Sequence, residues 1–185
     1  GLPIQLIQRI PSRQDQFSQE LRIASNGDHA LSYVAGLYYF RQVLTGHPNS
    51  VYGPYGAPWL IGSTTGASAT PVPANLLDGY GQTGNTRIAV DSYAAFAEVN
   101  WRILPRLIVT GGLRYTQEDK QGDYNTTVFG GLATTSTALN NAKLSVLRPQ
   151  SYLARDRDGS LSGRANLAWK PVDAVLLYAS FSRGF

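Results

Sequence analysis

What most limits the fold of this chain is a recurring alternation of apolar and polar residues, broken by connections that run short, long, short, long, short. Alternation at period two sends successive side chains to opposite faces of an extended strand, whereas a helical face repeats roughly every 3.6 residues. The pattern predicts six strands, near 17–25, 30–42, 87–101, 107–119, 160–170 and 174–185, joined as consecutive antiparallel hairpins. In the second, Leu31, Tyr33, Ala35, Leu37 and Tyr39 oppose Ser32, Gly36 and Tyr38. In the third, Tyr93, Ala95, Ala97, Val99 and Trp101 oppose Ser92, Glu98 and Asn100. In the fourth, Leu107, Val109, Leu113 and Tyr115 oppose Thr110, Arg114, Thr116 and Glu118. Asn26-Gly27-Asp28 marks the first short connection as a tight turn in which both central positions accept positive φ.

These strands suit the roughly 9–11 residues that cross a bilayer at a tilt and exceed the roughly 5–6 of a globular strand. The long connections, 43–86 and 120–159, are rich in Gly, Pro, Ser and Thr and would be out of place in a compact soluble domain. Charged residues make up 15% of the chain, against about 25% in soluble domains. Glu20, Arg22, Glu98, Arg114, Glu118 and Arg164 fall among Ser, Thr, Asn and Gly on one face, as in a wet lumen. The opposite face ends in Trp101 and Trp169 before short turns, and in Tyr39 and Tyr115 near long connections, which makes two interfacial girdles. The expected fold is all-β, an antiparallel up-and-down transmembrane β-barrel segment covering 17–185, with 1–16 as an incoming loop or linker. Short turns are expected on the periplasmic side and 43–86 and 120–159 outside the cell. Leu37, Val99, Leu113, Leu167 and Leu177 are expected to face lipid.

Six strands do not close a wide barrel, and unpaired edges are not viable in lipid. Gly1 stands where a translated chain carries Met. A segment of a longer protein is therefore expected, with Phe185 inside a strand rather than at a natural barrel terminus. Cys is absent, so disulfides and thiolate metal sites are excluded. No apolar run reaches the roughly 18 residues of a membrane helix. The net charge of +4 is scattered without Lys/Arg runs, which argues against a nucleic-acid partner.

At QFSQELRIAS (16–25), LSYVAGLYYF (31–40), SYAAFAEVNW (92–101), VTGGLRYTQEDK (109–120) and GRANLAWKPVDAVLLYASFSRGF (163–185), the sequence resembles the barrel of TonB-dependent receptors. The resemblance rests on five segments in order rather than on any one of them. It implies a barrel of about 22 strands, plugged by an N-terminal domain that is not in this sequence. It also implies a Gram-negative outer-membrane location, TonB coupling through that missing part, and uptake of a scarce nutrient such as a ferric siderophore. A passive porin-like channel and a soluble β-sheet binding protein are the competing expectations.

Gly79-Tyr80-Gly81-Gln82-Thr83-Gly84 matches a dinucleotide-binding pattern, but a Pro-rich loop precedes it and an alternating strand follows, so a flexible loop is expected. Asp156-Arg157-Asp158-Gly159 lacks the remaining ligands of a calcium loop and is read as a loop tip or turn. His29 and His47 have no second ligand at a metal spacing, and Glu118 and Asp119, being adjacent in a strand, point apart. No catalytic constellation, metal site or cofactor is expected. The candidate ligand-binding residues are the aromatic and cationic residues of the long loops: Tyr52, Tyr55, Trp59 and Tyr80 in the first, and Arg148, Tyr152, Arg155 and Arg157, with Tyr124, in the second. Rings and guanidinium groups together suit an anionic, aryl-containing ferric chelate. The competing reading of the same residues is that they pack the loops against each other.

Overall fold

Alternating residues become a β-sheet, as their period requires, but the strands outrun the alternation. The computed structural model describes residues 3–62 and 71–184. Eight strands form one sheet: β1 (Gln5–Arg9), β2 (Ser12–Ala24), β3 (Leu31–Gly46), β4 (Asn49–Tyr52), β5 (Gly81–Leu104), β6 (Leu107–Phe129), β7 (Gln150–Val172) and β8 (Val175–Arg183). Two helices accompany them, α1 (Gly56–Leu60) and α2 (Thr137–Val146). The hydrogen-bonded order is β1-β4-β5-β6-β7-β8, with β3 pairing both β2 and β5. From β4 to β8 neighbours in space are neighbours in sequence, whereas β1 pairs with β4 and β3 with β5; β1 with β4, β4 with β5 and β7 with β8 run antiparallel, for example Gly163↔Arg183 and Leu167↔Ala179 between β7 and β8. The sheet does not close on itself among the described residues.

The two strands expected at 17–25 and 30–42 are β2 and β3, and two prolines set them off from β1 and β4, which lie where a linker and a loop were expected. Proline has no N–H to give a ladder. Pro11 separates β1 from β2, and Pro48 separates β3 from β4. At these breaks the His47 N–H donates to the Pro11 carbonyl (2.9 Å), and the Gly84 N–H to the Pro48 carbonyl (3.2 Å). Residues 1–16, expected as a linker, therefore carry β1 and the start of β2, with β1 paired to β4 from Gln5↔Tyr52 to Arg9↔Asn49.

The expected strand ends also move. β5 begins at Gly81 rather than near 87, β6 continues to Phe129 rather than 119, and β7 begins at Gln150 rather than 160. The reason is that the ladder is made by the backbone, and it persists where both faces are wet and alternation fades. Asp156-Arg157-Asp158-Gly159 accordingly lies inside β7, not at a loop tip. In the first short connection only Gly27 takes positive φ (94°) among the described residues, so the tight turn expected at Asn26-Gly27-Asp28 is replaced by the wider link 25–30. Phe185 lies outside the described residues, and β8 ends at Arg183.

The chain divides into two compact units. One, the loop unit, comprises Gly1–Asp15, Val43–Ile88 and Gln121–Ala154; the other, the wall unit, comprises Gln16–Gln42, Ala89–Lys120 and Arg155–Phe185. In the loop unit Ala57, Leu76, Leu77 and Tyr80 are buried, with Tyr52, Ile61, Leu139, Ala142 and Val146 packed against them. The wall unit has two faces. Large apolar side chains on one face are exposed, Leu37 at 60% and Leu113 at 63%, with Val99, Leu167 and Leu177 likewise exposed. No described helix is long and apolar enough to cross a membrane, which does not bear on crossing by strands.

Candidate functional site

The long connections are folded, and their folding sorts the candidate residues. In α2, Ser136 caps the helix by accepting from the Leu139 N–H (3.4 Å), and Leu139, Ala142 and Val146 recur on one face against the buried Leu76, Leu77 and Tyr80. Tyr80 is 3% exposed. Its hydroxyl donates to the Leu147 carbonyl (2.6 Å), and the Lys143 ammonium lies 5.9 Å from its ring centroid. Burial pushes the Tyr80 phenol above the ordinary tyrosine range, because a phenolate there would lose its water. Tyr52 packs on the same core, and its backbone exchanges hydrogen bonds with Gly79 and Tyr80. Tyr52 and Tyr80 hold the loop together, Tyr80 buried and Tyr52 partly so.

Tyr55 and Trp59 are different. The Trp59 N–H donates to the Tyr55 carbonyl (3.3 Å), so the two side chains stand one helical turn apart on the same side of α1. They are 43% and 72% exposed. Tyr152 stacks on Tyr124 with centroids 6.2 Å apart, and Arg148 is exposed between α2 and β7. The loop unit thus presents rings at Tyr55, Trp59 and Tyr152 and a cation at Arg148. Arg155 and Arg157 belong to the wall unit, where Arg157 pairs with Asp119 (3.1 Å). The expected cluster therefore separates into two packing residues, five loop-surface residues with Tyr124 counted, and two wall arginines. Sequence reasoning missed the loop core itself; the signal was present in the capped, helically spaced Ser136–Val146 segment.

In the dinucleotide-like pattern Gly79 takes a positive φ (72°), and Gly81 and Gly84 serve close strand approach. A side chain at Gly81 would meet the Phe129 ring and the Ser50 carbonyl, and one at Gly84 the Asn125 carbonyl. A rigid strand start stands where a flexible loop was expected.

The polar face of the wall unit is a network of paired charges. The Arg164 Nε donates to Glu98 (2.8 Å), Thr110 donates to Asn100 (2.7 Å), and the Arg114 Nε donates to Thr116 (3.2 Å). The Arg114 guanidinium also sits 5.6 Å from the Tyr38 centroid, and that of Arg22 5.9 Å from Phe96. Exposed leucines on one face with paired charges on the other invert the soluble pattern and match a strand set between lipid and a wet interior. At the short-turn end Arg102 pairs with Asp28 (2.9 Å) and Arg106 with Asp173 (3.3 Å). No described group of three or more His, Asp or Glu side chains is arranged to hold a metal.

The family model described as TonB dependent receptor-like, beta-barrel matches residues 6–185. No curated protein matches the chain. Among solved structures, the ferric yersiniabactin uptake receptor FyuA of Yersinia pestis is similar over 92% of this chain and 21% of its own, with a TM-score of 0.60 at 19% identity. The siderophore receptor PiuA of Acinetobacter baumannii is similar over 94% of this chain and 24% of its own, with a TM-score of 0.56 at 16% identity. The ferric-catecholate import receptor Fiu of E. coli K12 is similar over 95% and 26%, with a TM-score of 0.53 at 12% identity. The chain thus spans 21% to 26% of the length of these structures, and at such identities the likeness speaks to fold alone.

Proposed function

We propose that this chain, which belongs to the TonB dependent receptor-like β-barrel family, forms part of the wall and outer loops of a receptor that imports a ferric siderophore with energy relayed by TonB. Members of the family are outer-membrane β-barrels of Gram-negative bacteria and transporters rather than enzymes. The observation that carries the reading is the exposed ring pair Tyr55 and Trp59, mounted on a loop unit with its own buried core. Binding residues concentrate in loops held by a rigid scaffold, and a preformed aromatic surface loses little entropy when it stacks on a ligand. Arg148, on the same unit, supplies charge for an anionic chelate. FyuA is a ferric yersiniabactin uptake receptor, Fiu a ferric-catecholate import receptor and PiuA a siderophore receptor, which favours that substrate class.

The test uses the full-length receptor in Gram-negative cells, with and without working TonB. Radio-iron is supplied on a ferric catecholate and on ferric yersiniabactin. Uptake that needs TonB and falls with Tyr55→Ala/Trp59→Ala supports the proposal. Diffusion of small solutes without TonB would mark a passive channel instead, and uptake indifferent to the double substitution would move recognition away from α1.

A further inference from the structure

Three dipeptides of the chain place glycine directly after Asn or Asp: Asn26-Gly27, Asp78-Gly79 and Asp158-Gly159. A glycine nitrogen has no side chain beside it to hinder an attack on the preceding side-chain carbonyl, which closes a cyclic imide. The fold disarms two of these pairs. The Gly79 N–H donates to the Tyr52 carbonyl (3.0 Å), and Asp158-Gly159 is drawn out inside β7. A strand keeps the backbone extended, away from the bend that ring closure needs.

Asn26-Gly27 is left able to react. Its link is fastened at both ends: the Ser25 N–H donates to the Tyr33 carbonyl (2.9 Å), the Tyr33 N–H to the Ser25 hydroxyl (3.0 Å) and the Arg102 N–H to the Ala30 carbonyl (2.7 Å). Between these fastenings Asn26 to His29 are exposed, and the Gly27 N–H meets no acceptor among the described residues. Gly27 bends the chain at φ 94°. The His29 ring folds back over that bend, so that a carbon built on Gly27 would lie 3.0 Å from its Nε2. Nε2 is therefore close enough to the Gly27 N–H to take its proton directly or over one water. Asp28, between them in sequence, turns to Arg102 instead (2.9 Å).

We infer that Asn26-Gly27 is a self-modifying site, at which the folded chain converts asparagine to aspartate and isoaspartate with His29 as general base. His29 takes the Gly27 proton as the nitrogen bonds to the carbonyl carbon of the Asn26 side chain. The bond from that carbon to the amide nitrogen breaks, and ammonia leaves with the proton that His29 returns. Water then opens the imide. Attack at the side-chain carbonyl gives aspartate; attack at the main-chain carbonyl gives isoaspartate, whose backbone is longer by a methylene. Water is consumed, ammonia is released, and nothing is oxidised or reduced. Either product sets a new carboxylate near Asp28, where the two compete for Arg102. The reaction involves no imported solute, so it stands or falls apart from the function proposed above.

The experiment incubates the full-length receptor, folded in detergent micelles, at neutral pH. Residue 26 is followed by peptide mass mapping and by methyl labelling with an isoaspartyl methyltransferase. Wild type should gain aspartate and isoaspartate at Asn26 while Asp78 and Asp158 stay unchanged. Asn26→Gln should stop the reaction, since the longer side chain closes a less favourable ring. His29→Gln should slow it roughly tenfold. In urea, where the imidazole no longer lies over Gly27, wild type and His29→Gln should react alike. Folded wild type should also outpace wild type in urea, a comparison that needs no variant. Heat-modifiable mobility reports folding in each sample. A folded receptor that keeps Asn26 intact overturns the site. Equal rates in folded wild type and folded His29→Gln, or a faster wild-type reaction in urea, overturn the role of His29.

Discussion

In the loop unit Leu76, Leu77 and Tyr80 are buried beneath further apolar side chains; in the wall unit Leu37, Leu113 and Leu167 are exposed and the charges pair with one another on the other face. Both units are built largely from the same long strands, so local conformation does not explain the difference. The solvent does. The loop unit hides apolar area from water inside itself, as a soluble domain does. Among the described residues the buried apolar side chains of the wall unit are Ala89 and Ala94, too small to make a core, so its leucines need an apolar surrounding from outside. Under the function proposed above, lipid is that surrounding.

The comparison predicts where substitutions hurt, beginning with the largest effect. Leu76→Ala should cost about 2–5 kcal/mol, because a fully buried side chain leaves a cavity. Hydrogen exchange should show the loop unit loosened and the wall unit protected; loss spread evenly over both would break the division. Leu113→Arg in the full-length barrel should cost about 2–4 kcal/mol near the bilayer midplane. Ser162→Arg, on the polar face beside Arg114, should cost far less. The fraction of heat-resistant barrel on gels measures both, and equal losses would show the faces assigned wrongly.

A smaller effect is expected at Tyr80→Phe, which removes the hydrogen bond to Leu147 and should cost about 1 kcal/mol. The pH sign follows from its raised phenol. The folded state holds this proton longer than the unfolded chain, so its stability contribution is complete below the ordinary tyrosine range. It is lost as pH rises through the folded value. Loop protection against protease should therefore fall at alkaline pH in wild type and fall less in the phenylalanine variant. Smallest for stability is Trp59→Ala, expected within about 0.5 kcal/mol because the ring is exposed. If that variant nonetheless loses siderophore binding measured by fluorescence quenching, the loop unit's surface and core are separable; a large loss of stability would join them.

The sequence by itself determined the strands of the wall unit, their order, and which side chains share a face, because alternation at period two is a local property of a strand. Leu31 to Tyr39, Tyr93 to Trp101 and Leu107 to Tyr115 carry it without help from neighbours. Proline breaks at Pro11 and Pro48, and the capped helix after Ser136, were legible in principle from local rules. What only the tertiary structure decided was the fate of the loop aromatics. Tyr52, Tyr55, Trp59 and Tyr80 lie in one stretch of similar composition, yet Tyr80 is core and Trp59 is surface. That outcome depends on α2 and on Gly130 and Gly131, whose positive φ values turn the chain beside Tyr80 and Leu76. Burial of a ring is settled by partners distant in sequence, whereas the facing of a strand residue is settled by its two bonded neighbours. For that reason the wall could be read in advance and the loop surface could not.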